Sequence, residues 1–317
     1  MLDERVRDSL AVSLSEIAQA IGGEIGFPPS QAEPLIRRLS AGPVAPGLFA
    51  IYTALVEAAL REDAAEAAAL AGQLGQACEE AVQSLRLVNL TDEDLGPGQA
   101  ERYRRLITGD EPEIIIPLAP VDEAERLRAG RLMATTLALL DTAAPEIAGE
   151  LRALVREVVT VHSAAQAGDS AALELDGASS FYLWGALLLN SARQRGRVSM
   201  AVTLVHEAMH GLLFGMSLGA PLVENAPEER YPSPLRDDLR PMDGLVHATY
   251  VLARMIDCLQ RLLRSSQLTP DEIFAARIAL AQHQAEYAAG LATVTAAARF
   301  TPIGAAAFHA MRQAAVV

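Results

Sequence analysis

The stretch 201-AVTLVHEAMHGLLFG-215 carries two histidines four residues apart, with a glutamate directly after the first. Apolar residues in and just before it recur at helical spacing: Val198, Val202, Val205, Met209, Leu212 and Leu213. This periodicity predicts one helix over about residues 196–217. Positions i and i+4 share one face of a helix, about 5–6 Å apart at Cβ. We therefore expect His206 and His210 to lie side by side and to face the protein interior.

The rest of the chain is also rich in helical patterns. Hydrophobic residues make up 51% of the 317 residues and aromatic residues only 4%, a composition that suits packed helices. Helices are predicted at 7–41 (two helices), about 46–87, 121–141, 144–167, 242–264 and 269–299, with a last one from 301. Strands are predicted at 113-EIIIPLAP-120 and 181-FYLWGALLLN-190. The predicted class is mainly α (α+β), a helical domain with a HExxH metal-binding helix and a few short strands.

Nothing in the sequence marks a linker between domains. There is no internal repeat and no low-complexity segment. We therefore predict a single domain over residues 1–317. The alternative is a helical N-terminal half, 1–168, followed by a metal-binding C-terminal half, 169–317.

Charge and composition exclude several classes of function. All 26 basic residues are arginine, so mechanisms that need a Schiff-base or P-loop lysine are excluded. The formal charge of −14 argues against nucleic acid and against an anionic membrane surface as partners. Cys78 and Cys258 match no metal or redox spacing and are expected to be buried thiols. Without a signal-like or membrane-spanning apolar run, we expect a soluble, cytoplasmic protein whose oligomeric state the sequence leaves open.

The HEAMH motif predicts a metal site. On one helix face, His206 and His210 can direct two imidazoles at one ion, and Glu207 is turned by roughly 100° around the helix. Such a glutamate would lie beside the ligands or beside a bound water. A working site needs a third ligand, and the sequence offers two candidates.

The first candidate is Glu229 and the second is His247. Glu229 follows His210 after 18 intervening residues, the spacing of zinc peptidases of the HExxH-x18-E kind, but it lies among prolines that oppose a helix. His247 lies in 240-RPMDGLVHATYVLARM-255, where Pro241 and Asp243 suit the first turn of a helix. We favour His247 as the third ligand and interpret Glu229 as a solvated charge.

The remaining histidines are expected to be structural or to lie on the surface. His162, His283 and His309 have no partner at ligand spacing in the sequence. They are not included in the predicted site.

Two segments give the chain a resemblance to a known family. The segments LVHEAMH (204–210) and SPLRDDLRPMDGLVHA (233–248), with their spacing, resemble the HExxH-type peptide-modifying proteins found beside ribosomally made peptide precursors. These are iron(II)- and 2-oxoglutarate-dependent peptide β-hydroxylases. The resemblance is best from about Phe181 to Met255, and Leu235 departs from it where an aromatic residue would be expected.

The resemblance implies an oxygenase with iron(II) and 2-oxoglutarate as cofactors and a precursor peptide as substrate. His206, His210 and His247 would bind the iron, and open positions would remain for the keto acid and dioxygen. Entry of Glu207 or Asp243 would instead give a two-histidine, one-carboxylate set.

The far carboxylate of the keto acid needs a bidentate guanidinium. Arg240 is preferred for this role, and Arg236 is the other candidate. The alternative to this role, for either residue, is that of a surface arginine paired with Asp237 or Asp238.

The predicted strand FYLWGALLLN offers a possible peptide contact. An extended peptide can add to a sheet edge as an extra strand, and Tyr182 and Trp184 would then face it together. Packing of these aromatic rings into the core is the preferred interpretation.

Two other classes of function remain open at this point. In a zinc metallopeptidase, Glu207 would be the general base that activates a zinc-bound water. In a non-catalytic protein, the helix pair would only bind a peptide.

Overall fold

The computed structural model describes residues 2–77, 82, 84–108, 117–163, 175–235 and 238–314. Twelve α-helices and six short strands occur among them, which confirms the mainly α (α+β) class. The chain forms two compact units, each built from two stretches. The first unit is Met1–Arg126 with Arg152–Ser191, and the second is Leu127–Leu151 with Ala192–Val317.

The helices and strands are numbered in chain order. The helices are α1 (Leu2–Ala20), α2 (Pro29–Ala41), α3 (Pro46–Leu60), α4 (Ala64–Ala77), α5 (Asp92–Leu95), α6 (Gln99–Thr108), α7 (Glu123–Ala143), α8 (Pro145–Leu154), α9 (Arg197–Ser217), α10 (Met242–Arg264), α11 (Pro270–Ala297) and α12 (Pro302–Ala314). The strands are β1 (Arg86–Asn89), β2 (Glu157–Val161), β3 (Gly177–Ala178), β4 (Ala186–Asn190), β5 (Tyr231–Pro232) and β6 (Leu239–Arg240). Short 3-10 turns cover Phe181–Leu183 and Ser191–Arg193.

The first unit is organised around a small sheet with strand order β1-β2-β4-β3. The first three strands are parallel, with Val88 beside Val159 and Val159 beside Leu188, and β3 pairs antiparallel to β4. Every residue of β2 and β4 is buried. Parallel strands covered on both faces are mostly apolar and lack alternation, as in ALLLN of β4 and the VVTV part of β2.

Two predicted helices were wrong in part. The helix predicted over 144–167 ends at Leu154, and Glu157–Val161 forms β2 instead. A fully buried strand has no alternation of apolar and polar residues, so its sequence reads as a continuation of the helix. The helix predicted over about 46–87 is α3 followed by α4, and β1 begins at Arg86.

The predicted strand FYLWGALLLN is shorter than expected. Only Ala186–Asn190 is strand, and Phe181–Leu183 is a 3-10 turn. Trp184 is buried and its Nε1 donates a hydrogen bond to Asp3 at 3.1 Å, whereas Tyr182 is 46% exposed. The two rings therefore do not share a strand face, and β4 lies between β2 and β3 rather than at an edge. Of the other predicted strand, 113–120, residues 113–116 lie outside the described residues, and Ala119 forms a single bridge with His162.

The second unit is a packed set of helices. Helix α10 packs against α9, α11 and α12, and the apolar stripe of α9 is buried. A Cβ on Gly290 of α11 would lie 2.6 Å from Thr249 Oγ1 of α10, so the absence of a side chain there lets the two helices approach closely. By length and composition alone α9 could cross a membrane, but 56% of its apolar window is buried, the burial of a core helix in a soluble protein.

Cys258 lies buried in α10 and forms no disulfide within the described residues. Burial raises the pKa of its thiol to about 12, so it is protonated at neutral pH and behaves as a small apolar side chain. The prediction of a buried thiol is confirmed for Cys258, while Cys78 lies outside the described residues.

An ion pair joins the first residue of α9 to the first turn of α11. Arg197 donates to both carboxylate oxygens of Glu272, from Nε at 2.7 Å and from Nη2 at 2.6 Å. Glu272 also closes a capping box with Thr269, whose backbone N–H it accepts at 2.9 Å. These hydrogen bonds, Arg197 first, lower the pKa of Glu272 from 4.5 to about 2.

We expect Glu272→Gln to destabilise the protein by about 1 kcal/mol at neutral pH. Because the pKa of Glu272 is lower in the folded state, its contribution is present above pH 4.5 and is lost as the pH falls towards about 2. Chemical denaturation of parent and variant at pH 7 and at pH 3 should therefore give a difference in unfolding free energy that shrinks in acid. The same substitution at the exposed Glu33 of α2 is the control. A difference in unfolding free energy that is the same at pH 7 and pH 3 would contradict a stabilising ion pair with a lowered Glu272 pKa.

Candidate metal centre

Three histidines come together from α9 and α10, and we call them the histidine cluster: His206, His210 and His247. The Nε2 atoms of His206 and His210 are 3.2 Å apart, and the Nδ1 atoms of His210 and His247 are 3.4 Å apart. The ring of His210 stacks on that of His247 with centroids 5.6 Å apart. Phe214, one turn after His210, covers both rings, with centroids at 6.2 and 5.4 Å.

The spacing of the first two histidines fits a shared ion. Two nitrogens bound to one ion at about 2.0–2.1 Å, with a tetrahedral angle between them, lie about 3.3 Å apart. The observed 3.2 Å between the Nε2 atoms matches this distance. His206 and His210 thus form a two-nitrogen seat held on one helix face.

His247 borders this seat from the other side of the His210 ring. An imidazole gives one nitrogen to an ion, so His247 has to turn its ring to join the Nε2 atoms of the other two. Accordingly, within the described ranges no three His, Cys, Asp or Glu side chains already converge as a metal-binding group. The three imidazoles fit a metal in residue type and proximity, and His247 is the one that does not yet point at the ion position shared by the other two.

The electrostatics of the histidine cluster favour neutral imidazoles. Burial lowers the pKa of His210 well below its ordinary value, and the neighbouring His206 and His247 lower it further. Burial also lowers the pKa of His247, against the opposing effect of Asp243. Neutral imidazoles have a free nitrogen lone pair, which is the form that binds metals.

Met255 of α10 contacts one nitrogen of the His206 ring. Its Sδ lies 3.3 Å from His206 Nδ1. A thioether sulfur accepts hydrogen bonds and donates none, so Nδ1 carries the hydrogen and Nε2 keeps the lone pair that faces His210. The sequence analysis missed this residue, although Met255 follows His247 by two helical turns and therefore shares its face.

Asp243 lies behind His247. Its Oδ2 is 3.7 Å from His247 Nε2, whereas the Nδ1 atom of the same ring faces His210. The other carboxylate oxygen accepts a hydrogen bond from the backbone N–H of Leu222 at 3.4 Å. Asp243 is thus placed to orient the His247 ring.

Glu207 borders the two-nitrogen seat directly. The residue is 5% exposed, and its Oε1 lies 3.9 Å from His206 Nε2, the nitrogen that faces His210. A carboxylate at this position can contact either an ion held by the histidines or a water bound to that ion.

Glu229 is not brought to the histidine cluster. Its oxygens accept hydrogen bonds from Arg299 at 2.6 Å, from the Tyr231 hydroxyl, and from Asn225 Nδ2 at 3.3 Å. The Arg299 and Tyr231 hydrogen bonds are the main reason that the pKa of Glu229 is lowered to about 2. These hydrogen bonds link the loop before α10 to the residues that follow α11, and the Glu229 side chain remains 35% exposed within this ion pair.

Arg240 is one of the two arginines predicted to bind the keto acid. Arg240 lies on β6 opposite Tyr231 and two residues before α10 begins, with its side chain 22% exposed. Its Nη1 lies 3.3 Å from Asp238 Oδ2, the surface pairing considered as the alternative to ligand binding. Arg236 lies outside the described residues.

The other histidines have separate environments. His283 of α11 lies 2.8 Å from the carboxylate of Glu286, one turn further on. His162 is exposed at the end of β2, and His309 lies on α12.

Comparison with protein-family models gave no match, and no curated protein matched the chain. The function is therefore argued from the histidine cluster and its surroundings.

We expect His247→Ala to weaken divalent-metal binding by at least about tenfold, because it removes the imidazole next to the two-nitrogen seat. Isothermal titration of the metal-free protein with cobalt(II) or zinc(II) measures this change. His283→Ala is the matched control, since His283 is paired with Glu286, and should leave the affinity unchanged. Equal affinity in parent and His247→Ala would exclude His247 as a ligand.

Proposed function

We propose that the protein is an iron(II)- and 2-oxoglutarate-dependent oxygenase that hydroxylates the β-carbon of a residue in a ribosomally made precursor peptide. The observation that carries this proposal is the 3.2 Å separation of the His206 and His210 Nε2 atoms, with His247 next to them. Sites of this chemistry bind iron through a few protein side chains on one side and keep positions open for cosubstrates. The resemblance of the LVHEAMH and RPMDGLVHA segments to peptide β-hydroxylases supplies the substrate class.

Each residue of the site has a definite task in this function. His206, His210 and His247 would hold the iron. Bound iron with 2-oxoglutarate and dioxygen supplies the oxidising power, one oxygen atom entering the peptide and the other entering succinate as carbon dioxide leaves. The Met255 sulfur keeps the Nε2 lone pair of His206 available. No side-chain nucleophile is required.

Burial of the site is consistent with this chemistry. His210 and His247 lie in an apolar part of the second unit, covered by Phe214 and by the apolar face of α10. Apolar surroundings limit the access of water, which protects reactive species from side reactions. We place this activity in the cytoplasm, with a peptide partner and without nucleic acid, in keeping with the charge of −14.

The direct test uses the metal-free protein loaded with iron(II) under anaerobic conditions. Addition of 2-oxoglutarate should produce a visible charge-transfer band, and addition of air with a precursor peptide should yield a product heavier by one oxygen atom, together with succinate. His283→Ala should keep the band, and His247→Ala should lose it. If the parent protein gives no band and no succinate, the proposed function is wrong.

A zinc metallopeptidase is the second candidate, because Glu207 Oε1 lies 3.9 Å from His206 Nε2, next to the seat of the ion. In that enzyme Glu207 would take the proton from a zinc-bound water. We expect Glu207→Gln to keep the charge-transfer band of the iron-loaded protein. A peptidase would instead lose its activity by a factor of about one hundred or more in Glu207→Gln. The control is Glu33→Gln, and peptide cleavage by the zinc-loaded parent would favour the peptidase.

Arg240 is the proposed partner of the far carboxylate of 2-oxoglutarate. A lysine lacks the planar guanidinium group that binds a carboxylate through two hydrogen bonds. Arg240→Lys should therefore lower the affinity for 2-oxoglutarate by about tenfold or more. Titration of the charge-transfer band measures this affinity, and iron binding should not change. Arg230→Lys, in the same loop, is the matched control. An unchanged affinity in Arg240→Lys would exclude Arg240 as the partner of the keto acid.

A further inference from the structure

The first unit contains a cavity of about 320 Å³. Its walls come from the first turns of α3, the end of α4, the amino ends of β1 and β2, and the segment that leads into α6. This volume is at the lower end of the range found for small-molecule sites. Whatever it binds has the size of one or two amino-acid residues.

Gln99 lines this cavity and carries an acceptor that has no partner among the described residues. The residue is 6% exposed, and its Nε2 donates a hydrogen bond to the carbonyl of Gly47 at 3.1 Å. This bond fixes which end of the amide is nitrogen. Its Oε1 is buried and has no hydrogen-bond partner within the part of the chain that the structure describes. A buried acceptor without a partner is costly, and a ligand N–H would satisfy it.

Gln73 places a donor at the same cavity. Its Oε1 accepts a hydrogen bond from Arg102 Nη2 at 2.7 Å, which leaves the amide nitrogen as the end available to a ligand. The cavity is therefore lined by one amide acceptor and one amide donor. A carboxamide or peptide group has the complementary pair, an N–H and a C=O.

The charged groups at the cavity neutralise each other. Glu157 is 1% exposed, and its carboxylate accepts hydrogen bonds from Arg86 at 2.6 Å and from the Tyr103 hydroxyl at 2.8 Å. Because these charges are paired, neither a cationic nor an anionic ligand would gain a new partner. This favours an uncharged occupant.

Three of the other lining residues are aliphatic: Leu48, Ile51 and Leu95. We propose that this cavity is a binding site for a small uncharged molecule that combines an amide group with an aliphatic body. The amide contacts Gln99 and Gln73, and the aliphatic part lies on Leu48 and Ile51. The site stands independently of the histidine cluster and of the proposed oxygenase activity.

N-acetyl-L-leucinamide is a suitable probe, and N-acetyl-L-leucine is its charged counterpart. Saturation-transfer NMR on the full-length protein should show saturable binding of the uncharged amide and weaker binding of the carboxylate. Gln99→Leu removes the acceptor and should lower the affinity for N-acetyl-L-leucinamide by about fivefold or more. Gln31→Leu, the same substitution at an exposed position on α2, should have no effect.

A second variant tests the same site without removing Gln99. A Cβ at Gly47 would lie 2.9 Å from Gln99 Nε2, so Gly47→Ala pushes the amide out of its place while it favours the helical conformation of α3. Gly47→Ala should lower the affinity for the probe as Gln99→Leu does. Thermal unfolding checks that both variants fold. The proposal is overturned if the probe does not saturate, if the charged compound binds equally well, or if the folded variants bind like the parent. None of these outcomes bears on metal binding.

Discussion

The candidate site depends on the packing of α10 against α9. Fourteen residues of α10 are buried, so this helix is held by apolar contacts along most of its length. That packing brings His247 next to His210 and Met255 next to His206. It also removes water from the imidazoles, which lowers the pKa of His210 and His247. The hydrophobic interior thus sets both the position of the donor nitrogens and their protonation.

Local patterns predicted the fold where helices show one buried face. The stripe of α9 and the Pro241 start of α10 are examples, since α9 spans Arg197–Ser217 and α10 begins at Met242. Strand β2 was missed because a strand buried on both faces has no alternation. Strand β1 has only four residues, and its partner β2 lies about seventy residues later in the chain. Neighbours in a parallel sheet are brought together by tertiary packing, which a single sequence does not encode locally.

For the site, spacing alone predicted the pairing of His206 with His210, since an i,i+4 relation is a property of the helix. Whether a residue of another element would join them depended on how the second unit packs. Glu229 stands at a zinc-peptidase spacing yet pairs with Arg299, a partner seventy residues away that no motif indicates. The tautomer imposed by Met255 and the buried acceptor of Gln99 likewise arise from contacts between elements.

The discontinuous division of the chain has a consequence for its synthesis on the ribosome. The first unit has all its residues once Ser191 has been made, but Leu127–Leu151 belongs to the second unit and is made early. Within that stretch, Glu150 pairs with Arg254 and Glu146 with Arg261, partners that emerge 104 and 115 residues later. The Leu127–Leu151 segment, which covers most of α7 and α8, is therefore made well before the C-terminal helices with which it pairs. Its apolar face stays uncovered until those helices are translated. During that interval the uncovered apolar surface of the nascent chain favours aggregation.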